Sequence, residues 1–196
     1  MTMPQVVLLD EQGQPVGATE GATVHHSRTP LHLAFSCYVF TSDAKLLLTL
    51  RGDRTRTWPG IWTNSCYGHP APGEPVSAAV TRTVRAELGL TASVPELVLP
   101  AFRYRAVMDN GVAENAVAPV FRVVTDERPT PDPAAIADFE WADWADFVYA
   151  VNTGDISLSP WCRLQVAELV TLGEDPTRWP TADECLLPGG PLPATR

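Results

Sequence analysis

The segment from Gly68 to Leu90 constrains this chain more than any other. It runs a glycine, five residues, Glu74, seven residues, Arg82, and then Glu87-Leu88-Gly89-Leu90. Pro75 suits the opening of a helix, where a backbone N–H has no intrahelical partner to lose. Val76, Val80, Val84 and Leu88 then recur every four residues, which places them on one buried stripe. Gly89 ends the helix, because glycine takes a left-handed conformation without a steric penalty.

The flanking sequence is rich in strand signals. Val6–Leu9 followed by Asp10-Glu11-Gln12-Gly13 reads as a strand and turn of a hairpin. Leu31–Phe40, the turn Thr41-Ser42-Asp43 and Lys45–Arg51 make a second hairpin, and Ile61–Cys66 a short strand. Phe102–Met108 and Ala113–Val124 flank Asp109-Asn110-Gly111, a strong hairpin turn. Asp138–Trp141 reads as a strand. Asp143 is expected to cap a helix over Trp144–Ala150, and Ser159 one over Pro160–Leu172. Strands broken by one early helix point to an α/β (α+β) domain with a mixed β-sheet core flanked by helices. With 196 residues the expectation is a single domain over residues 1–173. Residues 174–196 then form a tail with Pro176, Pro180, Pro188, Pro191 and Pro193, expected to be irregular.

Composition excludes several classes. Fourteen Lys and Arg face 23 Asp and Glu, a net charge of −9, which argues against a nucleic-acid-binding surface. No apolar run approaches the ~18–20 residues of a membrane span. The start, MTMPQVVLLDEQGQ, has no basic n-region, so it does not read as a signal peptide. Cys37, Cys66, Cys162 and Cys185 are widely spaced with no CxxC, as expected of reduced thiols in the cytoplasm.

The Gly68–Leu90 spacing resembles the Nudix box, a loop–helix–loop that presents carboxylates to a divalent cation on a diphosphate. Thr83 and Ala86 stand where Nudix hydrolases carry glutamates, which argues against hydrolysis. The flanks are more specific: Leu31-His32-Leu33-Ala34-Phe35-Ser36, Trp58-Pro59-Gly60-Ile61-Trp62-Thr63-Asn64-Ser65, Gly68-His69-Pro70, Phe102-Arg103-Tyr104-Arg105, Glu114-Asn115 and Ser159-Pro160-Trp161. Together they resemble type I isopentenyl diphosphate isomerase, a family with the Nudix fold, from about Val6 to Val170. That family shifts a double bond in a five-carbon diphosphate by protonating an alkene on one face and deprotonating the cation on the other.

The resemblance implies a metal site of His25, His32, His69 and Glu114, a set suited to Zn²⁺, Mn²⁺ or Mg²⁺. It implies that Glu87 serves a Mg²⁺ on the diphosphate. Tyr104 and Trp161 match the aromatic groups beside the cation, and Arg51 a diphosphate-binding residue. Two family catalytic groups are missing: the cysteine position holds Tyr67, with Cys66 one place earlier, and the glutamate position holds Ala116. A one-residue shift in a strand turns a side chain to the opposite face, so Cys66 is a poor substitute. Anion-binding positions are thinner too, with Gly21, Thr55 and Thr83 where the family is basic, although Arg54 and Arg56 lie nearby.

These departures lead to the expectation of an enzyme that protonates a prenyl C=C to a tertiary carbocation. Cyclisation or isomerisation of a prenylated, non-diphosphate substrate would follow. Glu114, Tyr104, Tyr67, Trp161 and Cys66 are the catalytic candidates, with Arg51, Ala116 and Trp161 lining the substrate. A carboxyl group or a metal-bound water is the better proton source, since a tyrosine with a pKa near 10 is weak. One alternative is a genuine isopentenyl-diphosphate isomerase with Cys66 or Tyr67 standing in. The other is a non-catalytic binding protein on the same fold. The expected partner is a small prenylated molecule, with no nucleic acid and no membrane, and the chain a monomer or homodimer.

Overall fold

A computed structural model describes residues 5–53, 55–91 and 94–189. Arg54, Pro191 and Pro193, named above, lie outside the described residues. The strands are β1 (Gln5–Leu9), β2 (Pro15–Glu20), β3 (His32–Leu33), β4 (Phe35–Phe40), β5 (Lys45–Arg51), β6 (Trp62–Thr63) and β7 (Cys66–Gly68). After the helix α1 (Val76–Leu88) come β8 (Glu96–Leu99), β9 (Arg103–Val107), β10 (Ala113–Val117), β11 (Val120–Val124) and β12 (Ile136–Asp143). Two helices follow, α2 (Trp144–Thr153) and α3 (Pro160–Leu169).

Two sheets form. The smaller has the order β2-β1-β3-β10-β9. The larger runs β12-β5-β4-β11-β8, with β6 on β5 and β7 on β4. Alternate residues of β4 enter two cores, as a strand buried on both faces must. Phe35, Cys37 and Val39 pack with the α1 stripe. Tyr38 and Phe40 pack with Trp144, Phe147, Trp161 and Leu169 of α2 and α3.

The helix signals are realised locally. Val76, Val80, Val84 and Leu88 are buried, each contributing about 1.5–3 kcal/mol. Gly89 has φ 69° and its N–H bonds to the carbonyl of Arg85. A Cβ there would also fall 2.0 Å from Thr130 Oγ1, so no other residue fits. Asp143 Oδ1 accepts from the N–H of Ala145 at 3.0 Å, and Ser159 Oγ from that of Cys162 at 3.3 Å.

Three expected strands are each two. Leu31–Phe40 breaks at Ala34 and Ala113–Val124 breaks at Ala118-Pro119, so each chain leaves the smaller sheet for the larger. Pro119 has no N–H to give a ladder. The Ala34 N–H bonds to the carbonyl of Val117 and the Ser36 N–H to that of Pro119, so the two chains cross together and in parallel. Ile61–Cys66 breaks at Asn64-Ser65, whose side chains replace the ladder. Ser65 Oγ accepts from Val39 N at 2.7 Å and donates to the carbonyl of Leu47 at 2.6 Å.

The tail is less irregular than its prolines imply. Short 3-10 turns form at Pro176–Arg178 and Glu184–Leu186. Trp179 is buried edge-on against Phe40 and Trp144. Arg122, itself buried, donates to the carbonyls of Pro176 and Trp179 at 2.8 and 3.2 Å and to Glu96.

Candidate active site

The sheet crossing at Ala34 and Ala118 brings distant residues together. His32 on β3 pairs with Ala116 on β10, and Ala116 pairs with Tyr104 on β9. Glu114 lies two residues along β10 and so shares that face. His69 follows β7, and His25 lies in the segment between β2 and β3. Gly68 allows this approach, since a Cβ there would meet Phe35 at 2.7 Å.

One ligand atom from each of His25, His32, His69 and Glu114 lies within 4.8 Å of the others. His25 Nε2 is 2.9 Å from Glu114 Oε1. His32 Nδ1 lies 3.1 Å from the carbonyl of Pro30 and donates to it, which leaves Nε2 as a lone pair. The Nε2 atoms of His32 and His69 are buried with no hydrogen-bond partner. Orphaned buried nitrogens beside a carboxylate oxygen form the donor set of a divalent metal, and these four residues fit one. Burial, then the neighbouring His32, pulls His69 down to about 3, so its imidazole is neutral.

Glu114, one of the expected catalytic residues, is buried beside these imidazoles. Burial alone would raise its pKa, but the hydrogen bond to His25 and the nearness of His32 override this and hold the carboxyl far below the usual carboxylate range. That shift favours the carboxylate form.

The aromatic candidates converge. Trp161, in the first turn of α3, is buried with Tyr67 5.2 Å, Tyr104 5.9 Å and Trp58 5.5 Å from it between ring centroids. The Tyr104 hydroxyl donates to Tyr67 Oη at 3.2 Å. Burial raises both phenols well above their ordinary value, as does the charge of Glu114, so both stay protonated. The guanidinium of Arg51 sits 5.3 Å above the Trp161 ring and donates to Thr57.

Cys66 is not part of this cluster. Its side chain packs on the α1 face, opposite its cross-strand neighbour Cys37. Donation of its S–H to Cys37, followed by burial, pushes its thiol well up. The alternation of the strand, with Tyr67 in one core and Cys66 in the other, places the Cys66 side chain away from the aromatic cluster. Glu87, half-buried near the end of α1, stands apart from the four-ligand group. Burial, opposed by Arg51, raises it to about 7. The Tyr67 ring lies between Trp161 and His69, 5.6 Å from the latter. Ala116 is fully buried and Thr83 is packed under Gly68.

Two residues at the site escaped the sequence reading. Trp58 packs edge-on to Trp161, and Asn64 accepts the Trp161 indole N–H. Both lie in the Trp58–Ser65 motif, which was the available signal.

Comparison with known proteins bears on these observations. Residues 30–162 match the NUDIX domain model. The isopentenyl-diphosphate Delta-isomerase of Saccharopolyspora erythraea is 57% identical over 95% of this chain and 96% of its own length. That of Rhizobium rhizogenes is 45% identical over 96% and 93%, and that of Mycolicibacterium vanbaalenii 49% over 88% and 94%. Among solved structures, DR0079 of Deinococcus radiodurans matches with a TM-score of 0.66 and 16% identity, covering 84% of this chain and 98% of that one. The MutT protein of Methanosarcina mazei Go1 matches at 0.58 and 18%, covering 71% and 92%. These two establish the Nudix fold alone. No helix among the described residues is long and apolar enough to cross a membrane.

The expectation of a non-diphosphate prenyl substrate with cyclisation is overturned. Relatives 45–57% identical over nearly the whole chain carry the name of the diphosphate isomerase. The domain match and these relatives together place the chain in the type I isopentenyl-diphosphate Delta-isomerase family, a family of isomerases within the Nudix superfamily.

Proposed function

We propose that this chain interconverts isopentenyl and dimethylallyl diphosphate in the cytoplasm. The observation that carries the reading is Arg51. Its guanidinium lies over Trp161, donates only to Thr57, and forms no ion pair among the described residues. A largely desolvated cation with donors to spare favours an anion beside it, and a diphosphate supplies one.

The rings of Trp161, Tyr67 and Tyr104 present π-faces where a tertiary cation would develop. Tyr67 takes the place of the family thiol and holds a proton at Oη, with Tyr104 as its hydrogen-bond donor. Glu114, held anionic, is the carboxylate that remains to receive a proton now that position 116 is alanine. A phenol is a weak acid and a carboxylate of depressed pKa a weak base, so turnover is slow. His25, His32, His69 and Glu114 would hold Zn²⁺ or Mn²⁺, and Glu87 a Mg²⁺ on the diphosphate. Bound ions would supply positive charge that fixes Glu114 and neutralises the substrate.

Isopentenyl diphosphate incubated with Mg²⁺ and Zn²⁺ or Mn²⁺ in D₂O, followed by proton NMR, tests this. The expected result is dimethylallyl diphosphate with one deuterium at the carbon that accepts the proton. Absence of product and of exchange after prolonged incubation at high enzyme concentration overturns the reading.

A further inference from the structure

We infer that Asn64 is a positioning residue for Trp161, setting the plane of the indole through its ring N–H. The inference rests on the isomerase reading for its catalytic consequence and on geometry for the rest.

Asn64 is fully buried between β6 and β7. Its Nδ2 donates to the carbonyls of Cys37 at 3.0 Å and Cys66 at 2.7 Å. Those two acceptors decide which end of the amide is oxygen. Oδ1 therefore faces the other way, where it accepts from Trp161 Nε1 at 2.9 Å and from Thr63 Oγ1 at 2.9 Å. Both donors and both lone pairs of the amide are satisfied.

The proton directions continue outward without a gap. Thr63 Oγ1 has given its proton to Asn64, so across the 2.7 Å contact Ser159 Oγ must donate to it. Ser159 Oγ in turn accepts from Cys162 N, capping α3. The helix that carries Trp161 is thus tied to the β6–β7 segment at two points, its cap through Thr63 and its indole through Asn64.

The orientation matters because the aromatic and cationic neighbours of the ring meet its face or its edge. Arg51 lies over it, and Tyr67 and Tyr104 are tilted against it. None of these is a directional bond that selects one setting of the ring about its Cα–Cβ and Cβ–Cγ bonds. The directional N–H···O bond does, and rotation would swing the π-face away from the centre where charge develops.

The test has two arms. In the wild-type protein the Trp161 indole N–H, identified as the resonance lost in Trp161→Phe, is expected to exchange with solvent about 100-fold or more slowly than free tryptophan. Exchange at the free rate overturns the inference. In the second arm Asn64→Ser is expected to lower kcat about 10–100-fold with KM within about threefold, the pattern of a misplaced catalytic group. Adding Asn64→Ser to Trp161→Phe should cost little more, since the N–H is already gone. Losses that multiply, or a raised KM with kcat unchanged, overturn it. Absence of wild-type turnover counts against the isomerase reading, and Trp161 exchange in the wild type then decides the positioning. An Asn64→Ser protein that fails to fold leaves the same wild-type measurement decisive.

Discussion

His32 Nε2 stands 3.0 Å from Glu114 Oε1 and forms no hydrogen bond with it. The proton on His32 is held at Nδ1 by the carbonyl of Pro30, so a lone pair faces a carboxylate oxygen. Two such groups repel at this distance unless a positive centre lies between them. His69 Nε2 is orphaned in the same cluster, and the three imidazole centroids lie 5.2–5.6 Å apart.

Protein purified without chelator is therefore expected to contain about one divalent metal per chain by elemental analysis. His69→Ala should remove most of it. Chelation should lower Tm by about 5–10 °C, the shift expected when a ligand present at ~100 times its Kd is withdrawn. An unchanged Tm with no metal after supplementation would refute the site.

Tyr67→Phe keeps the ring against Trp161 and removes only the hydroxyl. A loss of about 10²–10⁴ in kcat is expected if Oη carries the proton. An unchanged rate would reduce Tyr67 to a wall. The paired change Tyr67→Cys and Ala116→Glu restores a thiol and a carboxylate, and should raise isopentenyl diphosphate turnover at least about tenfold.

Thiol labelling reads the strand alternation. Burial pushes the Cys162 thiol up to about 11 and Cys37 and Cys66 are enclosed, whereas Cys185 is exposed. Only the thiolate reacts, so at pH 8 one thiol per chain should react in the native protein and four in denaturant. Cys66→Ala should leave isomerase turnover within about twofold, since its side chain points into the opposite core from Tyr67.

The tail supplies a stability test. Arg122→Ala removes the partner of the carbonyls of Pro176 and Trp179, while Glu96 keeps access to water. The cost is expected at the low end for a broken buried pair, about 3 kcal/mol. For a chain of this size that corresponds to roughly 6–12 °C in Tm. Cleavage by protease near residue 175 should rise in parallel, and an unaltered Tm would show that the tail is not anchored there.

The sequence by itself determined what depends on neighbours in the chain. Pro75, the Val76–Leu88 stripe and Gly89 set α1, and Asp143 and Ser159 set the starts of α2 and α3. These are local effects of backbone conformation, periodicity and capping. The strand alternation that separates Cys66 from Tyr67 was legible for the same reason. The metal ligands were legible only through the family resemblance, since His25 and Glu114 are 89 positions apart.

Tertiary structure decided what depends on distant partners. Leu31–Phe40 and Ala113–Val124 are nearly continuous apolar runs, and a strand buried on both faces carries no period to mark a break. Their switch between sheets at Ala34 and Ala118 is fixed by parallel pairing of the two runs with each other. Proline content marked the tail as irregular, but Trp179 and Arg122 anchor its first part through contacts that composition does not encode. Asn64 reads as one more polar residue in a motif until folding sets it 2.9 Å from the indole of a residue 97 positions later. A hydrogen bond of that range is bought with the closure of the whole domain, so only the assembled fold specifies it.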